Sequence, residues 1–364
     1  LTTSERATCR VCHSDQLTPL YSLGNQYVNN FINPEDLATC IKAPLEMILC
    51  EHCTLLQLKH TAPQELLYAG FYWYKSGVTD TMKRALREIS EKAETWFGLE
   101  AGDVVLDIGS NDGTLLRTYE VPGLITVGVE PASNLIEEGR VGLTHCIHDF
   151  WNYESYHKEV GTQAKVITAL GMFYDMEDPN QFISDAAKAL TEGGVFIAQL
   201  MCLKNMMDTN DVGNICHEHL EFYSFHSLEY LFEHNGLEVF DVEINNVNGA
   251  SYRLFARKKG ADVTPAEGAN ERIARVRQDE EGLDDKKVHL EFFERLETNK
   301  RKCVAFIKRE VAKGKKVWVY GASTKGNVIL QYYGLDHTLI EAAAERSPEK
   351  WGKYTVGSMI PCVS

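Results

Sequence analysis

Four cysteines near the start of the chain have the type and spacing of metal ligands. They form two pairs, Cys9-x-x-Cys12 and Cys50-x-x-Cys53, in a sequence of 364 residues. Two such pairs can place four thiolates around one tetrahedral Zn²⁺, with Zn–S distances of about 2.3 Å. Buried cysteines that act as small hydrophobic residues are the weaker alternative for two pairs in so short a region. The spacing therefore predicts a structural zinc ion whose four positions are all filled by protein.

A glycine-rich turn lies farther along the chain, where residues 107–114 read Asp-Ile-Gly-Ser-Asn-Asp-Gly-Thr. Backbone N–H groups of such a turn can approach a nucleotide-like ligand. The turn lacks both the G-x-G-x-x-G fingerprint of hydride transfer and the G-K-[ST] of a P-loop. Glu130 ends the next apolar run, and a carboxylate there can accept both hydroxyls of a ribose. The pattern favours a nucleoside site over a helix-capping turn without a ligand.

Three ionisable residues in succession, His217, Glu218 and His219, form a third candidate site. The two histidines could share a strand face and bind a metal, but no third ligand is evident. A histidine whose pKa lies near neutrality could instead remove or deliver a proton. Surface histidines in a loop are the alternative without chemistry. We expect acid–base chemistry from this segment.

The apolar runs that must position these residues are short and alternate with helical stretches. We predict strands at residues 104–108, 125–129, 166–170 and 195–200, and helices at 78–97, 134–139, 181–190 and 228–235. This alternation indicates an α/β fold with a doubly wound, largely parallel sheet. Two further β-like runs, 237–244 and 252–258, predict a terminal antiparallel pair.

The C-terminal part of the chain predicts a second unit. Residues 260–268 read as a linker and 269–313 as a charged helix or helix pair. Residues 317–326 again read strand, glycine turn, helix, and a strand at 339–343 follows, which indicates a smaller Rossmann-like unit. The chain stops at Ser364 with little room to complete a sheet.

Ser323 and Thr324 precede the predicted helix of that unit, and Lys325 adds a cation. The N–H groups of a helix N-terminus suit a pyrophosphate. Such a turn alone could equally bind nothing or a nicotinamide cofactor.

Composition narrows the classes of function. A net charge of −15 argues against a broad surface for nucleic acid or anionic membrane. No apolar run approaches the roughly 20 residues of a membrane span, and no signal-peptide pattern opens the chain. The 10 cysteines then read as thiols and metal ligands. We expect a cytoplasmic protein, and its acidic surface is compatible with a monomer.

The turn at 107–113 with Glu130 resembles the class I S-adenosylmethionine methyltransferases. Three further segments make the resemblance sharper: Phe-Tyr-Trp-Tyr-Lys-Ser-Gly at 71–77, the His-Glu-His segment, and Gly-Ala-Ser-Thr-Lys-Gly-Asn at 321–327. Together they resemble the nucleotide-sugar C-methyltransferases of deoxysugar pathways over nearly the whole chain. That family implies a zinc module at 1–70, a class I methyltransferase domain with a doubly wound Rossmann-like sheet at 71–260, and a helical segment with a Rossmann-like domain at 261–364.

The resemblance also implies a place for each candidate residue. S-adenosylmethionine would lie against Asp107, Gly109, Ser110 and Asp112, with Glu130 on its ribose and Asp149 and Phe150 near its adenine. The sugar would contact Lys75, Ser76, Asp175 and Cys216. The nucleotide diphosphate would lie near Ser323, Thr324, Lys325 and Asn327, with Glu345 and Arg346 near the nucleoside.

The implied reaction uses the acidity of a carbon next to a 4-keto group. His219 would remove a proton there, and the enolate carbon would take the donor methyl group. Glu218 would orient this base or bind a sugar hydroxyl, and Tyr74 would contact the sugar near the enolate oxygen; packing is the alternative for Tyr74. A Cys216 of low pKa is an alternative base.

Two residues depart from the family pattern, which often has tyrosine at Cys216 and histidine at Asp175. These departures leave the methylated carbon, C3 or C5, and the stereochemistry open. Two other functions also stay open: methylation of oxygen or nitrogen on another small substrate, and a zinc protein that binds S-adenosylmethionine without turning it over.

Overall fold

The computed structural model describes residues 3–28, 31–69 and 71–364. Its N-terminal part contains the strands β1 (Ser4–Glu5), β2 (Leu17–Tyr27), β3 (Phe31–Ile32), β4 (Lys42–Cys50), β5 (Leu56–Leu58) and β6 (His60–Thr61), with a 3₁₀ helix, Pro34–Thr39, before β4 and one π-helical turn, Glu65–Ala69, after β6. Alternate residues of β4, Leu45, Met47 and Leu49, are buried, as expected for a strand with one face on a core. Strands β2, β4 and β5 pair antiparallel, and Glu221–Phe222 adds a fourth strand beside β5.

The central part holds a large sheet between helices. Its elements are α1 (Asp80–Phe97), β7 (Val104–Ile108), β8 (Ile125–Val129), α2 (Ile136–Gly139), β9 (His145–Ile147), α3 (Tyr153–Val160), β10 (Ala164–Leu170), α4 (Pro179–Ala189), β11 (Leu190–Met201), α5 (Leu203–Thr209), β12 (Glu221–Phe222), α6 (Phe225–His234), β13 (Leu237–Asn245) and β14 (Ser251–Lys258). The seven-stranded sheet has the order β13-β14-β11-β10-β7-β8-β9. Strands β7 to β11 run parallel, and β13 and β14 form an antiparallel pair.

The predicted doubly wound sheet is confirmed, and β7 and β8 have the predicted bounds. Strand β9 and helix α3 were not predicted. Strand β9 has only 3 residues, all partly exposed at the sheet edge, so its sequence carries no clear apolar run.

The C-terminal part contains α7 (Ala269–Asp279), α8 (Lys286–Ala312), β15 (Trp318–Tyr320), α9 (Thr324–Tyr333), β16 (Ala342–Ala344), β17 (Tyr354–Thr355) and β18 (Cys362–Val363). The predicted helix pair at 269–313 is therefore α7 and α8. Strands β15, β16 and β18 form a parallel sheet. Strand β17 pairs with β3, which joins the two ends of the chain. Within the described ranges, none of the helices combines the length and apolar character that crossing a bilayer requires.

Candidate active site

The four predicted metal ligands meet at one point of the N-terminal part. The sulfur atoms of Cys9, Cys12, Cys50 and Cys53 all lie within 4.8 Å of one another. Two of the Sγ–Sγ distances are 3.5 Å, Cys9 to Cys53, and 3.4 Å, Cys12 to Cys50. A tetrahedral Zn²⁺ with Zn–S bonds of about 2.3 Å requires sulfurs about 3.8 Å apart. The cluster therefore fits one zinc ion.

Local backbone turns bring each cysteine pair into this position. His13 and Thr54, each directly after a Cys-x-x-Cys pair, have φ angles of 59° and 60°, which is uncommon outside glycine. His13 N donates to the carbonyl of Cys9 at 3.1 Å, and Thr54 N donates to that of Cys50 at the same distance. The two pairs thus form the same knuckle, as a closed structural site requires.

A buried arginine connects the metal cluster to the His-Glu-His segment. Gln57 Nε2 donates to Cys9 Sγ at 3.2 Å, and Gln57 Oε1 accepts from the backbone N of Arg10 at 3.1 Å. The Arg10 side chain is fully buried, and its Nε lies 3.6 Å from Glu221 Oε1. Glu221 begins β12, two residues after His219. The contact between Arg10 and Glu221 therefore connects the metal module to the end of this segment.

The glycine turn after β7 borders a cavity of about 150 Å³, which we call the turn cavity. Gly109 has a φ of 71°, and a Cβ there would lie 2.8 Å from Met172 Cγ, so only glycine fits. Glu130 Oε2 accepts from Asn111 N and Glu130 Oε1 from Ala132 N, both at 2.8 Å. Burial raises the pKa of Glu130. The two backbone hydrogen bonds oppose this rise, because they favour the carboxylate. The carboxylate keeps lone pairs for hydroxyls, as the ribose role requires.

Asp107 and Ser110 line a smaller cavity of about 70 Å³ beside the turn cavity. Asp107 Oδ1 accepts from Thr168 Oγ1 at 2.6 Å. Burial, together with the charges of Glu130 and Asp112 and opposed by this hydrogen bond, raises the pKa of Asp107 to about 7. Ser110 Oγ is buried and has no hydrogen-bond partner among the residues that the structure describes.

Residues 71–78, which we call the aromatic strap, cover the turn cavity. Asn111 Oδ1 accepts from Ser76 N at 2.9 Å, and its Nδ2 donates to the carbonyl of Tyr74 at 3.0 Å. Asp112 Oδ2 accepts from Gly77 N at 2.7 Å. Asp112 thus holds the strap and lies outside both cavities at the turn. Asn111 was not predicted as a site residue, although it stands inside the glycine motif.

Of the two residues expected near adenine, only Phe150 lines the turn cavity. Asp149 instead accepts from Phe150 N at 2.8 Å and from Ser155 Oγ at 2.9 Å, and it does not line the turn cavity. Its hydrogen bonds stabilise the start of α3.

A second cavity of about 260 Å³, the cleft cavity, lies between the carboxyl edge of the large sheet and the C-terminal part. Its lining includes predicted site residues from four separate segments: Tyr74, Asp175, Cys216, Glu218, His219, Ser323, Thr324 and Lys325. It also shares a wall with the turn cavity, made by Tyr72, Tyr74, Gly171 and Asp175. The two cavities are therefore adjacent.

His219 presents one ring nitrogen that can accept a proton. Its Nδ1 lies 2.8 Å from the carbonyl oxygen of Asn214, which can only accept, so Nδ1 carries the hydrogen and Nε2 has the lone pair. The ring packs edge-on against Tyr174, with centroids 4.6 Å apart. Burial, and then the charge of Lys325, lowers the pKa of His219 to about 3. The expected near-neutral pKa is therefore wrong for the free protein, because the surrounding packing excludes water.

Neither histidine of this segment lies on the surface. His217 is buried, and its Nε2 lies 2.9 Å from the carbonyl oxygen of Ala43. Burial lowers the pKa of His217 to about 4. His217 does not line the cleft cavity, and its hydrogen bond ties the segment to β4.

Cys216 is a neutral thiol here, because burial and then the neighbouring Glu218 raise its pKa well above the ordinary range. The expected alternative of a low-pKa cysteine base is therefore wrong. Candidate donor atoms of Cys216, Glu218 and His219 do lie within 4.8 Å of one another. This group contains His219 but not His217, so the two histidines do not come together as the ligand pair that the sequence offered.

The C-terminal part contributes a helix terminus and two lysines to the cleft cavity. Ser323 Oγ accepts from Gly326 N at 3.1 Å and so begins α9, and Lys325 follows it. Lys350 is buried, with Nζ 2.6 Å from the carbonyl of Ala322 and 4.7 Å from the centroid of Phe31. Lys350 and Phe31 were not predicted, because neither belongs to a motif of its own.

Glu345 repeats the arrangement of Glu130. It follows β16, and its Oε2 accepts from Ala322 N in the turn after β15 at 2.7 Å. Burial raises the pKa of Glu345, but backbone N–H donors and Lys350 outweigh it and leave the pKa lowered. Neither Glu345 nor the exposed Arg346 lines the cleft cavity.

Three other predicted substrate residues do not line the cleft cavity. Lys75 Nζ lies 3.4 Å from Glu138 and 3.6 Å from Glu349, outside both cavities. Ser76 lines the turn cavity. Asn327 is buried beside a small separate cavity that Cys216 also lines.

The strand order, the glycine turn after β7 and the acid after β8 define a class I S-adenosylmethionine-dependent methyltransferase. Residues 74–242 match a methyltransferase domain family, 9–68 a zinc binding domain, and 246–364 the C-methyltransferase C-terminal domain. The chain is 30% identical over 358 residues to the C-methyltransferase NovU of Streptomyces niveus, covering 97% of this chain and 84% of NovU. The chain therefore belongs to this C-methyltransferase family, with a zinc-binding N-terminal module.

Two solved structures of methyltransferases match about half of this chain. The mitomycin 7-O-methyltransferase MmcR is 16% identical, with a TM-score of 0.40 over 49% of this chain and 54% of that one. Magnesium protoporphyrin IX methyltransferase from Synechocystis PCC 6803, with bound SAH, is 12% identical, with a TM-score of 0.39 over 51% of this chain and 90% of that one.

Proposed function

We propose that this C-methyltransferase transfers the methyl group of S-adenosylmethionine to a carbon of a nucleotide-linked 4-keto-deoxysugar. The observation that carries the proposal is the shared wall between the turn cavity and the cleft cavity. The methyl donor would occupy the turn cavity and present its methyl group at this wall. The sugar would occupy the cleft cavity, with its reacting carbon on the other side.

The reaction begins with a proton transfer. The Nε2 of His219 removes the proton from the carbon next to the keto group, and the electron pair of the broken C–H bond forms the enolate. The enolate carbon would then bond to the methyl carbon of S-adenosylmethionine as the bond from that carbon to sulfur breaks. S-adenosylhomocysteine would leave, and the keto group would form again. Glu218 would stabilise the imidazolium or hold a sugar hydroxyl. Tyr74, in the shared wall, would donate its hydroxyl to the sugar.

The other parts of the chain would position the substrate. The start of α9 with Ser323, Thr324 and Lys325 suits the diphosphate, since helix N–H groups and a cation favour an anion. Glu345 would lie on the nucleoside side. Diphosphate binding far from the reacting carbon orients that carbon. In this scheme residues 71–260 hold the methyl donor and residues 261–364 the nucleotide.

Residues 1–70 would have a structural role. Four thiolates fill the coordination sphere of zinc and leave no position for a substrate. The contact between Arg10 and Glu221 would transmit the stability of the zinc module to the segment that carries His219.

The proposal is tested with nucleoside-diphosphate 4-keto-deoxysugars in D₂O, with and without S-adenosylmethionine. We expect deuterium at the carbon next to the keto group without the donor, and a methyl group on that carbon with it, both read by mass spectrometry and NMR. A methyl group on oxygen or nitrogen without exchange would support the first alternative function. Donor binding without any turnover would support a non-catalytic protein.

A further inference from the structure

Asp175 stands at the place where the two cavities meet. It ends the 3₁₀ turn Phe173–Asp175, which begins three residues after the end of β10, and it lines both cavities. Its side chain is buried, and its Oδ1 has no hydrogen-bond partner among the described residues. A buried polar atom without a partner has lost the hydrogen bonds that water offers it in the unfolded chain, which is unfavourable. Asp175 Oδ1 is therefore placed to form a hydrogen bond with a ligand in one of these cavities.

The groups that face Asp175 are acidic or neutral. Glu218 approaches it from the His-Glu-His segment before β12, and Glu221 from β12 itself. Tyr68 approaches it from the π-helical turn. Tyr72, Tyr174 and Cys216 also interact electrostatically with this acid. Burial, and then Glu218 and Glu221, raises the pKa of Asp175 well above its ordinary value, while the hydroxyl of Tyr68 lowers it.

The cations of this region have other partners or line the same cleft cavity as Asp175, and neither Lys325 nor Lys350 is among the groups that shift its pKa. Arg10 lies 3.4 Å from Glu177 and 3.6 Å from Glu221. Lys325 and Lys350 line the cleft cavity from the C-terminal part. Burial among acidic neighbours therefore favours the protonated form of Asp175, and such an acid has an O–H that can donate.

We propose that Asp175, as a neutral carboxylic acid, donates a hydrogen bond to the keto oxygen of the sugar and stabilises the enolate. This role rests on the proposed function. As His219 takes the proton from carbon, negative charge develops on that oxygen, and the O–H of Asp175 lies ready for it. The acid keeps its proton throughout, and the bond weakens when the methyl group is added and the ketone forms again. An ionised Asp175 would instead repel the enolate oxygen.

Two variants separate this role from others. Asp175→Asn keeps a donor of similar shape and cannot ionise, whereas Asp175→Ala has no donor. Removing one donor of an oxyanion site costs about 10²–10³ in rate. We expect deuterium exchange and methyl transfer to fall by about this factor in Asp175→Ala, and by no more than about 10-fold in Asp175→Asn. We also expect the wild-type rate to fall at alkaline pH as Asp175 ionises, and this fall to be absent from Asp175→Asn.

A measurement without turnover tests the protonation state. The infrared difference spectrum of wild type minus Asp175→Asn should contain the C=O stretch of a protonated carboxylic acid at neutral pH; its absence would overturn the proposal. So would an Asp175→Asn variant that is folded by circular dichroism yet as slow as Asp175→Ala, because the acid would then have to transfer its proton. An Asp175→Ala variant with wild-type exchange would remove Asp175 from the reaction.

The two proposals fail in different ways. If wild type exchanges and methylates but the variants contradict these expectations, only the role of Asp175 is overturned. If wild type does neither with any 4-keto sugar nucleotide, the proposed function fails, and the role of Asp175 in it fails too.

Discussion

Lys325 and His219 line the same cavity, and the charge of the lysine adds to burial in lowering the pKa of the imidazole to about 3. Their closeness has a backbone cause. A Cβ on Gly213 would lie 3.0 Å from Lys325 Cβ, so α9 packs directly on the turn whose Asn214 carbonyl holds His219. An anion bound at Lys325 would offset its charge and raise the pKa of His219. The diphosphate of the proposed substrate would thus strengthen the base that acts on it.

Replacing Lys325 by methionine should raise the pKa of His219 in the free protein. Removal of a positive charge favours the imidazolium, but burial remains, so the pKa should stay below the ordinary value. The affinity for a nucleoside diphosphate should fall about 10- to 100-fold, the equivalent of one charge-assisted hydrogen bond. NMR titration of ¹⁵N-labelled histidine and calorimetry measure the two effects. Lys325→Arg, which keeps the charge, is the control, and an unchanged histidine pKa in Lys325→Met would refute the coupling.

His219→Ala should abolish both deuterium exchange and methyl transfer while the affinity for S-adenosylmethionine stays nearly unchanged. Loss of a general base costs about 10²–10⁴ in rate, and His219 lines the cleft cavity but not the turn cavity. His226→Ala, which removes an exposed histidine of α6, is the matched control. Full exchange in His219→Ala would exclude this residue as the base.

Cys50→Ser should release zinc and lower the melting temperature of the protein. A structural zinc site supplies folding free energy, so loss of one thiolate removes that contribution. Cys40→Ser is the control, because Cys40 lies outside the cluster and its Sγ donates to the carbonyl of Asp36 at 3.4 Å. Metal analysis by plasma mass spectrometry decides the matter, and equal zinc in the two variants would contradict the four-cysteine site.

Binding of S-adenosylmethionine should release a proton from Asp107. Its pKa is about 7 in the free protein, and the ammonium group of the donor, placed beside it, would favour the carboxylate and lower that pKa. The affinity for the donor should therefore rise as pH increases through about 7. Calorimetry in buffers of different ionisation enthalpy measures the proton.

The raised pKa of Asp107 also makes the stability of the protein depend on pH. Because the folded pKa of Asp107 is raised, the free energy of unfolding of the donor-free protein should decrease as pH rises from about 4 to 7. Asp107→Asn should lose both pH dependences. Donor binding without proton release in wild type would place the ammonium group elsewhere.

Short-range patterns predicted much of this protein. The Cys-x-x-Cys pairs need only their own turns, and the structure brings them together as two equal knuckles. The strand, glycine turn and following acid at 107–130 were readable for the same reason, since consecutive parallel strands place Glu130 against the turn. Where a role depended on side-chain direction, the motif was less informative: Asp112 holds the aromatic strap and Asp149 stabilises α3.

Other features depended on segments that meet only in the folded chain. Lys350 and Phe31 come from opposite ends of the sequence, joined by the pairing of β3 with β17. The pKa values of His219 and Asp175 follow from burial and from the charges of Lys325, Glu218 and Glu221. The sequence by itself determined the ligand types, the turns and the order of the elements, because these depend on neighbours along the chain. Only the tertiary structure decided which groups lose water and which charges face them, because both depend on packing between distant segments.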